Sequence, residues 1–282
     1  MYLGIDLGTS GVKALLMDDG ANVVASATAP LTVSRPRPGW SEQAPADWIE
    51  ATRAALVQLR AGHDLSAVRG IGLSGQMHGA VTVDAGDRVI RPAILWNDGR
   101  SAAQAARLDA DPQFRAVSGN IVFPGFTAPK LVWMAENEPA AFSRVARVLL
   151  PKDFVRLQLT GEHVTDLSDA AGTLWLDQAR RDWSPELLAA SGLTAAQMPG
   201  LVEGSAVSGR VRPSLARNLG LRAGVVVAGG AGDAAAGGVG IGAVEDGDAF
   251  VSLGTSGQYF VTGDSYRPYP EVFLHAFCHA LP

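Results

Sequence analysis

The sequence predicts an α/β fold built in two parts, and three observations predict it. The chain has 282 residues, 47% hydrophobic and only 18% charged, which supplies a sizeable core and, at about 150 residues per domain, suggests about two domains. Residues 1 to 33 read as three strands joined by tight turns, and helical and extended segments alternate after them. The pentapeptide Leu7-Gly8-Thr9-Ser10-Gly11 recurs letter for letter as Leu253-Gly254-Thr255-Ser256-Gly257, each copy closing an apolar strand.

The composition also removes several classes. With 23 basic and 28 acidic side chains the net charge is −5, which advertises no nucleic-acid partner. The apolar content excludes disordered and fibrous chains. Cys278 is the single cysteine, so no internal disulfide can form. Met1 runs into Tyr2-Leu3-Gly4-Ile5 without the basic region, apolar core or cleavage site of a signal peptide, and a cytoplasmic location is expected. Ala223 to Ala243 carries one charge, Asp233. A central Asp costs about 3 kcal/mol in a membrane, and the apolar character comes from alanine and glycine. The stretch reads as a buried strand, turn and helix, with no membrane partner.

Taken in order, Tyr2 to Leu7, Val12 to Met17 and Val23 to Thr32 form an antiparallel meander, turning at Gly8 to Gly11 and Asp18-Asp19-Gly20. Pro45 starts a helix with Trp48, Ile49, Thr52, Ala55, Leu56 and Leu59 on one face and Gly62 as its stop. Gly70 to Ser74 is the next strand, Ile90 to Trp96 is extended, and Ser101 to Leu108 is helical. A helix over Ala128 to Glu136 has Thr127 as a candidate cap and Pro129 near its start. Val145 to Leu150 reads as a short buried strand leading into an amphipathic stretch, Lys152 to Leu159. The region from Thr160 to about Ala223 is more polar, with helices near Pro185 to Ser191 and Pro213 to Leu219, and Gly224 to Ala228 opens a new strand. The domains are therefore set at 1–222 and 223–282.

A hairpin turning on Gly-Thr-Ser-Gly exposes backbone N–H groups and two hydroxyls in one concavity, a cradle for phosphate oxygens. Two cradles on related domains can face each other across one nucleotide. The same residues also make good ordinary turns. Asp6 favours the functional reading of the first copy, because an unpaired carboxylate within an apolar strand is costly. A divalent cation between it and a phosphate relieves that cost, as Mg²⁺ takes one or two carboxylates plus phosphate and water oxygens; local backbone N–H groups are the alternative. No Walker-type Gly-Lys-Ser or Gly-Lys-Thr loop is present.

Asp233 is the best candidate for a base that takes a hydroxyl proton. It follows Gly229-Gly230-Ala231-Gly232, where backbone can approach a ligand, and precedes a small-residue run able to start a helix, so helix capping is the competing role. Gln76-Met77-His78 directly follows an apolar strand, where α/β folds place ligand contacts; a lone loop histidine is also often structural. Trp96, Asn97, Asp98 and Arg100 stand at another strand end, where a ligand pocket and an Asp–Arg surface pair beside a buried Trp fit equally well. His275, Cys278 and His279 have metal-like spacing without a second cluster, and the alternation of Val272 to Cys278 reads as a strand.

These motifs resemble one family. Gly4-Ile5-Asp6-Leu7-Gly8-Thr9-Ser10 with Leu253 to Gly257 looks like the FGGY carbohydrate kinases, a branch of the actin, hexokinase and heat-shock ATPase superfamily that includes glycerol kinase and xylulokinase. Gly125 to Asn137 fits that family's first signature, with Lys130 and Trp133 in place. Pro38 to Gln43, Ser74 to Gly79, Trp96 to Arg100 and Gly232-Asp233 resemble the xylulokinase branch in particular. The resemblance covers essentially the whole chain. It implies ribonuclease H-like actin-type domains and ATP-dependent phosphorylation of D-xylulose, with ATP and Mg²⁺ as cofactors.

By the same resemblance Asp233 is the catalytic base and Asp6 the Mg²⁺ carboxylate, acting through water. Gln76, Met77, His78, Trp96, Asn97 and Asp98 face the sugar, and Gly8, Thr9, Ser10, Lys13, Gly254, Thr255 and Ser256 face the ATP phosphates. Sugar and ATP are the expected partners, and a homodimer is the one assembly considered. A gluconokinase or fuculokinase, a non-catalytic sugar-binding module and, more remotely, a chaperone-type ATPase are the competing readings. Only 22 residues follow Phe260, too few for a further βαβ unit of about 30 residues. The resemblance therefore implies a complete first domain and the opening of a second, inactive on its own.

Overall fold

The computed structural model of the chain describes residues 1–253 and 257–282. Its centre is a seven-stranded mixed sheet. The meander forms as expected: Tyr2–Leu7, Gly11–Met17 and Val23–Pro30 pair antiparallel in sequence. Gly70–Gly75 then adds in parallel to Tyr2–Leu7, and Val226–Ala228 adds in parallel beyond it, edged by antiparallel Val207–Arg210. Ala231–Gly232 pairs with the end of the same central strand, Ser74 and Gly75. A division of the chain at 222/223 would thus separate strands that are hydrogen-bonded to one another.

Strand alternation gives the sheet two unlike faces. Leu3, Ile5, Leu7, Val12, Leu16, Ile71 and Leu73 are buried in a core that includes Trp48, Leu56 and Leu59 of the Pro45–Gly62 helix and Phe154 and Leu157 of the Pro151–Thr160 helix. The other face carries Gly4, Asp6, Lys13, Leu15, Gly72 and Ser74 and lines a cavity of about 440 Å³. A second core gathers Ile94, Phe114, Leu131, Trp133, Trp175 and Leu187. The Asp233–Ile241 helix follows the sheet, and the second hairpin, Ala249–Leu253 with Gly257–Val261, forms a separate two-stranded sheet. Its Phe250 and Phe260 rings stack 5.0 Å apart and pack against Gly238 of that helix.

Three expectations are corrected. Pro151–Thr160 is a helix, yet Lys152, Asp153 and Arg156 are as buried as Phe154 and Leu157. Its charges pair internally instead of facing water. Thr127 does not cap the Thr127–Asn137 helix, because it is the first helical residue and its Oγ1 donates to the His78 carbonyl at 3.1 Å. Ala128 N–H, at the helix start, donates to Thr173 O at 3.1 Å. Val272 to Cys278 is not a strand: Pro270–Val272 is a 3-10 turn and Phe273 has φ +62°. Side chains take the backbone groups a ladder would use. Ala276 N–H donates to Asn120 Oδ1 at 2.9 Å, and Ala276 O accepts from Asn120 Nδ2 at 2.8 Å and Gln178 Nε2 at 2.7 Å.

Candidate active site

Two cavities flank the start of the Asp233–Ile241 helix. Ala236 and Val239 of that helix line the 440 Å³ cavity with Asp6, Lys13 and Ser74. Asp233, Ala234 and Ala235 line a smaller one of about 290 Å³ with Met77, His78, Trp96, Ser168, Gln258, Phe260 and Phe277. Four residues expected at the sugar or its proton are thus brought together from three separate segments of chain.

The tight Gly75 to Gly79 connection sets Met77 and His78. His78 has φ +67°, a left-handed backbone that favours glycine. The strain is held by its surroundings: the His78 carbonyl accepts from Lys130 Nζ at 2.9 Å as well as from Thr127, and Lys130 also donates to Gly125 O. Burial pushes the Lys130 ammonium down to about 7. The His78 ring packs edge-on to Phe126, with centroids 4.7 Å apart. Its Nδ1 lies 2.8 Å from Gly172 O. A carbonyl can only accept, so Nδ1 carries the proton and Nε2 is an acceptor. Burial, helped by the charge on Lys130, pushes the imidazole down to about 3, so His78 is neutral at physiological pH.

Asp233 opens the helix after Gly232, and its Oδ1 accepts from Ala234 N–H at 2.8 Å. Burial by the surrounding walls raises its carboxyl above the ordinary range although an edge remains open to solvent, and the negative charge of Asp6 adds to the shift. Asp6 is raised for the same first reason, moderated by Ser74 and Lys13 on the neighbouring strands. The charge of Asp6 thus disfavours the ionisation of Asp233. A hard cation bound between oxygen donors relieves such a conflict, so the donor set fits Mg²⁺ at Asp6.

Thr9 ties the first hairpin to the wall of the smaller cavity. Its Oγ1 accepts from Trp96 Nε1 at 3.0 Å and donates to Gln76 Oε1 at 3.2 Å. Gln76 Nε2 donates to Gln43 Oε1 at 3.1 Å, and Gln43 Nε2 donates to Thr9 O at 2.8 Å. Gln76 is therefore buried behind the cavity, not in its lining. In the same turn, Gly8 N–H donates to Gly11 O at 3.0 Å and Ser10 stays exposed. Lys13 lies across from Asp6 in register, on the larger cavity. Gly254, Thr255 and Ser256 lie outside the described residues.

Asn97 is exposed away from both cavities, and Asp98 is a correction. Asp98 is buried, with Oδ2 accepting from Ser41 N–H at 2.5 Å and from Arg100 Nη2 at 2.7 Å, while Oδ1 accepts from Arg100 N–H and Nε. Both oxygens are engaged, so none is free for a ligand. Arg100 also pairs with Glu42 at 2.7 Å and lies over the Trp40 ring. The pair is structural and internal, whereas Trp96 is exposed and lines the smaller cavity.

Sequence reasoning missed Ser168, Gln258, Phe260 and Phe277. Ser168 had a local signal: Asp166-Leu167-Ser168-Asp169 is a capping pattern, and Asp166 Oδ1 accepts from the N–H of Ser168 and Asp169. Gln258 and Phe260 belong to the strand after the second repeat, which was read only for phosphates.

Residues 1–240 match the N-terminal domain of the FGGY family of carbohydrate kinases. The chain is 53% identical over its whole length to the xylulose kinase of Escherichia coli and 54% identical over 99% of its length to that of Klebsiella pneumoniae, spanning 58% of each. Among solved structures it superposes on a xyloylose kinase from Brucella ovis with TM-score 0.99 at 62% identity, and on a xylulose kinase from Rhodospirillum rubrum with TM-score 0.94 at 32% identity. It covers 58% of both. The chain thus spans a little over half the length of the relatives it matches, and it belongs to the FGGY family of carbohydrate kinases.

Proposed function

We propose that the protein phosphorylates D-xylulose with ATP, giving D-xylulose 5-phosphate. The observation that supports this best is the 290 Å³ cavity on which Met77, His78, Trp96 and Asp233 converge. It is close in volume to the lower end of small-molecule sites, and its walls mix apolar and hydrogen-bonding groups as a polyhydroxylated ligand requires. Similarity to xylulose kinases supports the choice of sugar.

His78 Nε2, held neutral, accepts from a sugar hydroxyl, while Met77 and Phe277 cover the carbon backbone. Asp233 accepts the proton of the attacking hydroxyl as its oxygen bonds to phosphorus and the leaving phosphate oxygen departs with ADP. Its raised carboxyl is a stronger base than an ordinary aspartate, which suits that task. ATP supplies the phosphoryl group, with Gly8, Thr9, Ser10 and Lys13 and the second repeat, Gly254, Thr255 and Ser256, on its phosphates. Asp6 would hold Mg²⁺, which neutralises charge developing on the transferred group.

Coupled ADP-release assays of the full-length protein with xylulose, ribulose, gluconate and glycerol test the reading. Xylulose is expected to give the highest kcat/KM, and a higher value with another substrate overturns the assignment. Asp233→Asn is expected to lower kcat by about 10² to 10⁴ while xylulose affinity stays within severalfold. Retention of most of kcat removes Asp233 from the proton transfer.

A further inference from the structure

Behind the cavity lies a group of charges that the phosphoryl-transfer reading does not use. Lys152, Asp153, Arg156, Asp166 and Asp169 are all fully buried. Lys152 Nζ lies 2.7 Å from Asp153 Oδ1, 2.6 Å from Asp166 Oδ2 and 3.1 Å from Asp169 Oδ2. Burial alone would disfavour its ammonium, but the three carboxylates overcome that and hold its pKa above the ordinary lysine value. Burial raises the Asp169 carboxyl well above its ordinary value, and Lys152 opposes the shift. Such clusters seldom stabilise a fold more than apolar side chains of similar volume would. Their directional hydrogen bonds suggest a different use.

Those bonds converge on Ala228-Gly229-Gly230-Ala231-Gly232, the connection that delivers Asp233. Its glycines run where there is no room for a side chain: a Cβ would lie 2.2 Å from Glu203 O at Gly229, 2.1 Å from Leu73 O at Gly230 and 2.7 Å from Met77 Sδ at Gly232. Gly230 also has φ +73°. A segment made of glycine and alanine cannot anchor itself by side chains, and its backbone freedom is large. The anchoring comes from outside. Arg156 Nη1 donates to Ala228 O at 2.6 Å and to Ser208 Oγ, and Nη2 donates to Gly229 O. At the other end, Gly232 N–H donates to Ser168 Oγ at 3.2 Å, and Ser168 Oγ donates to Asp166 Oδ1. Lys152 joins the arms, because Asp153 Oδ1 also lies 3.4 Å from Arg156 Nη2.

We infer that Arg156 is a positioning residue for Asp233: its forked guanidinium grips two successive carbonyls of the glycine connection and so sets where the helix begins and where the Asp233 carboxylate stands. A planar fork fixes direction as well as distance. The inference rests on reading Asp233 as the proton acceptor. Arg156 lines neither cavity and touches no substrate, so its effect passes through the backbone.

The test is steady-state kinetics of the full-length protein at saturating ATP with D-xylulose varied. Arg156→Lys keeps a cation but cannot grip both carbonyls, and a displacement of the base is expected to lower kcat by about tenfold or more with KM for xylulose within about twofold. Ser208→Ala removes the hydroxyl that receives Nη1 and itself donates to Ala228 O at 2.9 Å, loosening the same grip without disturbing charge, and the same split is expected at about threefold. In the Asp233→Asn background neither change lowers the residual rate further, because the group being positioned is gone. If kcat is unchanged in both variants, or their losses multiply with that of Asp233→Asn, the positioning role is overturned while Asp233 keeps its place. Wild-type turnover in Asp233→Asn alone overturns the underlying reading instead.

Discussion

The two copies of Leu-Gly-Thr-Ser-Gly are identical in sequence, but the strands that flank them are placed differently. Leu7 is 1% exposed in the middle of the seven-stranded sheet, whereas Leu253 is 83% exposed on a hairpin of its own. Registers differ as well. Leu7 stands opposite Val12, leaving the four residues Gly8 to Gly11 between them, while Leu253 stands opposite Gly257. Neighbouring chemistry also diverges, since the residue before the repeat is Asp6 in one copy and Ser252 in the other. A short motif therefore specifies that a chain turns. What the turn packs against, and which charges it presents, is set by strands far away in sequence, here Gly70–Gly75 beside the first copy.

The comparison can be broken most directly at its leucines. Leu7→Ala is expected to cost about 2–5 kcal/mol, as a buried large-to-small change does, and Leu253→Ala less than about 0.5 kcal/mol as an exposed one. Urea unfolding of both variants checks this, and equal costs would mean that the second hairpin is as buried in solution as the first. The glycines sharpen it. A Cβ at Gly11 would lie 2.9 Å from Ala29 O, a backbone atom of the paired strand, so Gly11→Ala should lose about 1–3 kcal/mol. At Gly257 the nearest contact among the described residues is 3.4 Å, to the flexible end of Leu253, and Gly257→Ala is expected to be nearly neutral by the same measurement.

The smallest effect separates Asp6 from Ser252. Desolvation by the cavity walls raises the Asp6 carboxyl above 3.8 in the folded state although the residue is partly open to water. Ionisation thus favours the unfolded chain, and a small, solvent-screened part of stability is lost as pH rises from 3.8 through the folded value. Asp6→Asn should therefore raise the melting temperature modestly at pH 7, with the gain disappearing below pH 3.8, while Ser252→Asn should show no such pH dependence. Thermal melts across pH 3 to 8 decide it, and a loss of stability at pH 7 for Asp6→Asn would show that Lys13 and Ser74 outweigh burial.

The candidate site was legible in sequence where glycine-bounded connections follow apolar strands. Met77, His78 and Asp233 stand in glycine-bounded connections after apolar strands, and those connections meet at one cavity. Asp98 was misread because its partners Ser41 and Arg100 are invisible to local pattern: a buried ion pair and a ligand-facing acid look alike in one dimension. Lys152, Asp153 and Arg156 suggested the wet side of an amphipathic helix for the same reason, since the carboxylates and carbonyls that take them into the core come from residues 166–169 and 228–229.

By itself the sequence determined the meander, the helices with strong apolar periodicity and the turns. Each depends on interactions within a few residues: alternation over a strand, a 3.6-residue repeat over a helix, and glycine where backbone must bend. Only the tertiary structure decided that Val226–Gly232 joins the first sheet, that residues 272–278 are not a strand, and that a glycine connection without side chains is gripped by Arg156 and Ser168. Those outcomes turn on backbone hydrogen bonds and buried charges between segments many tens of residues apart. Their strength depends on how thoroughly water is excluded around them, and no stretch of sequence carries that information alone.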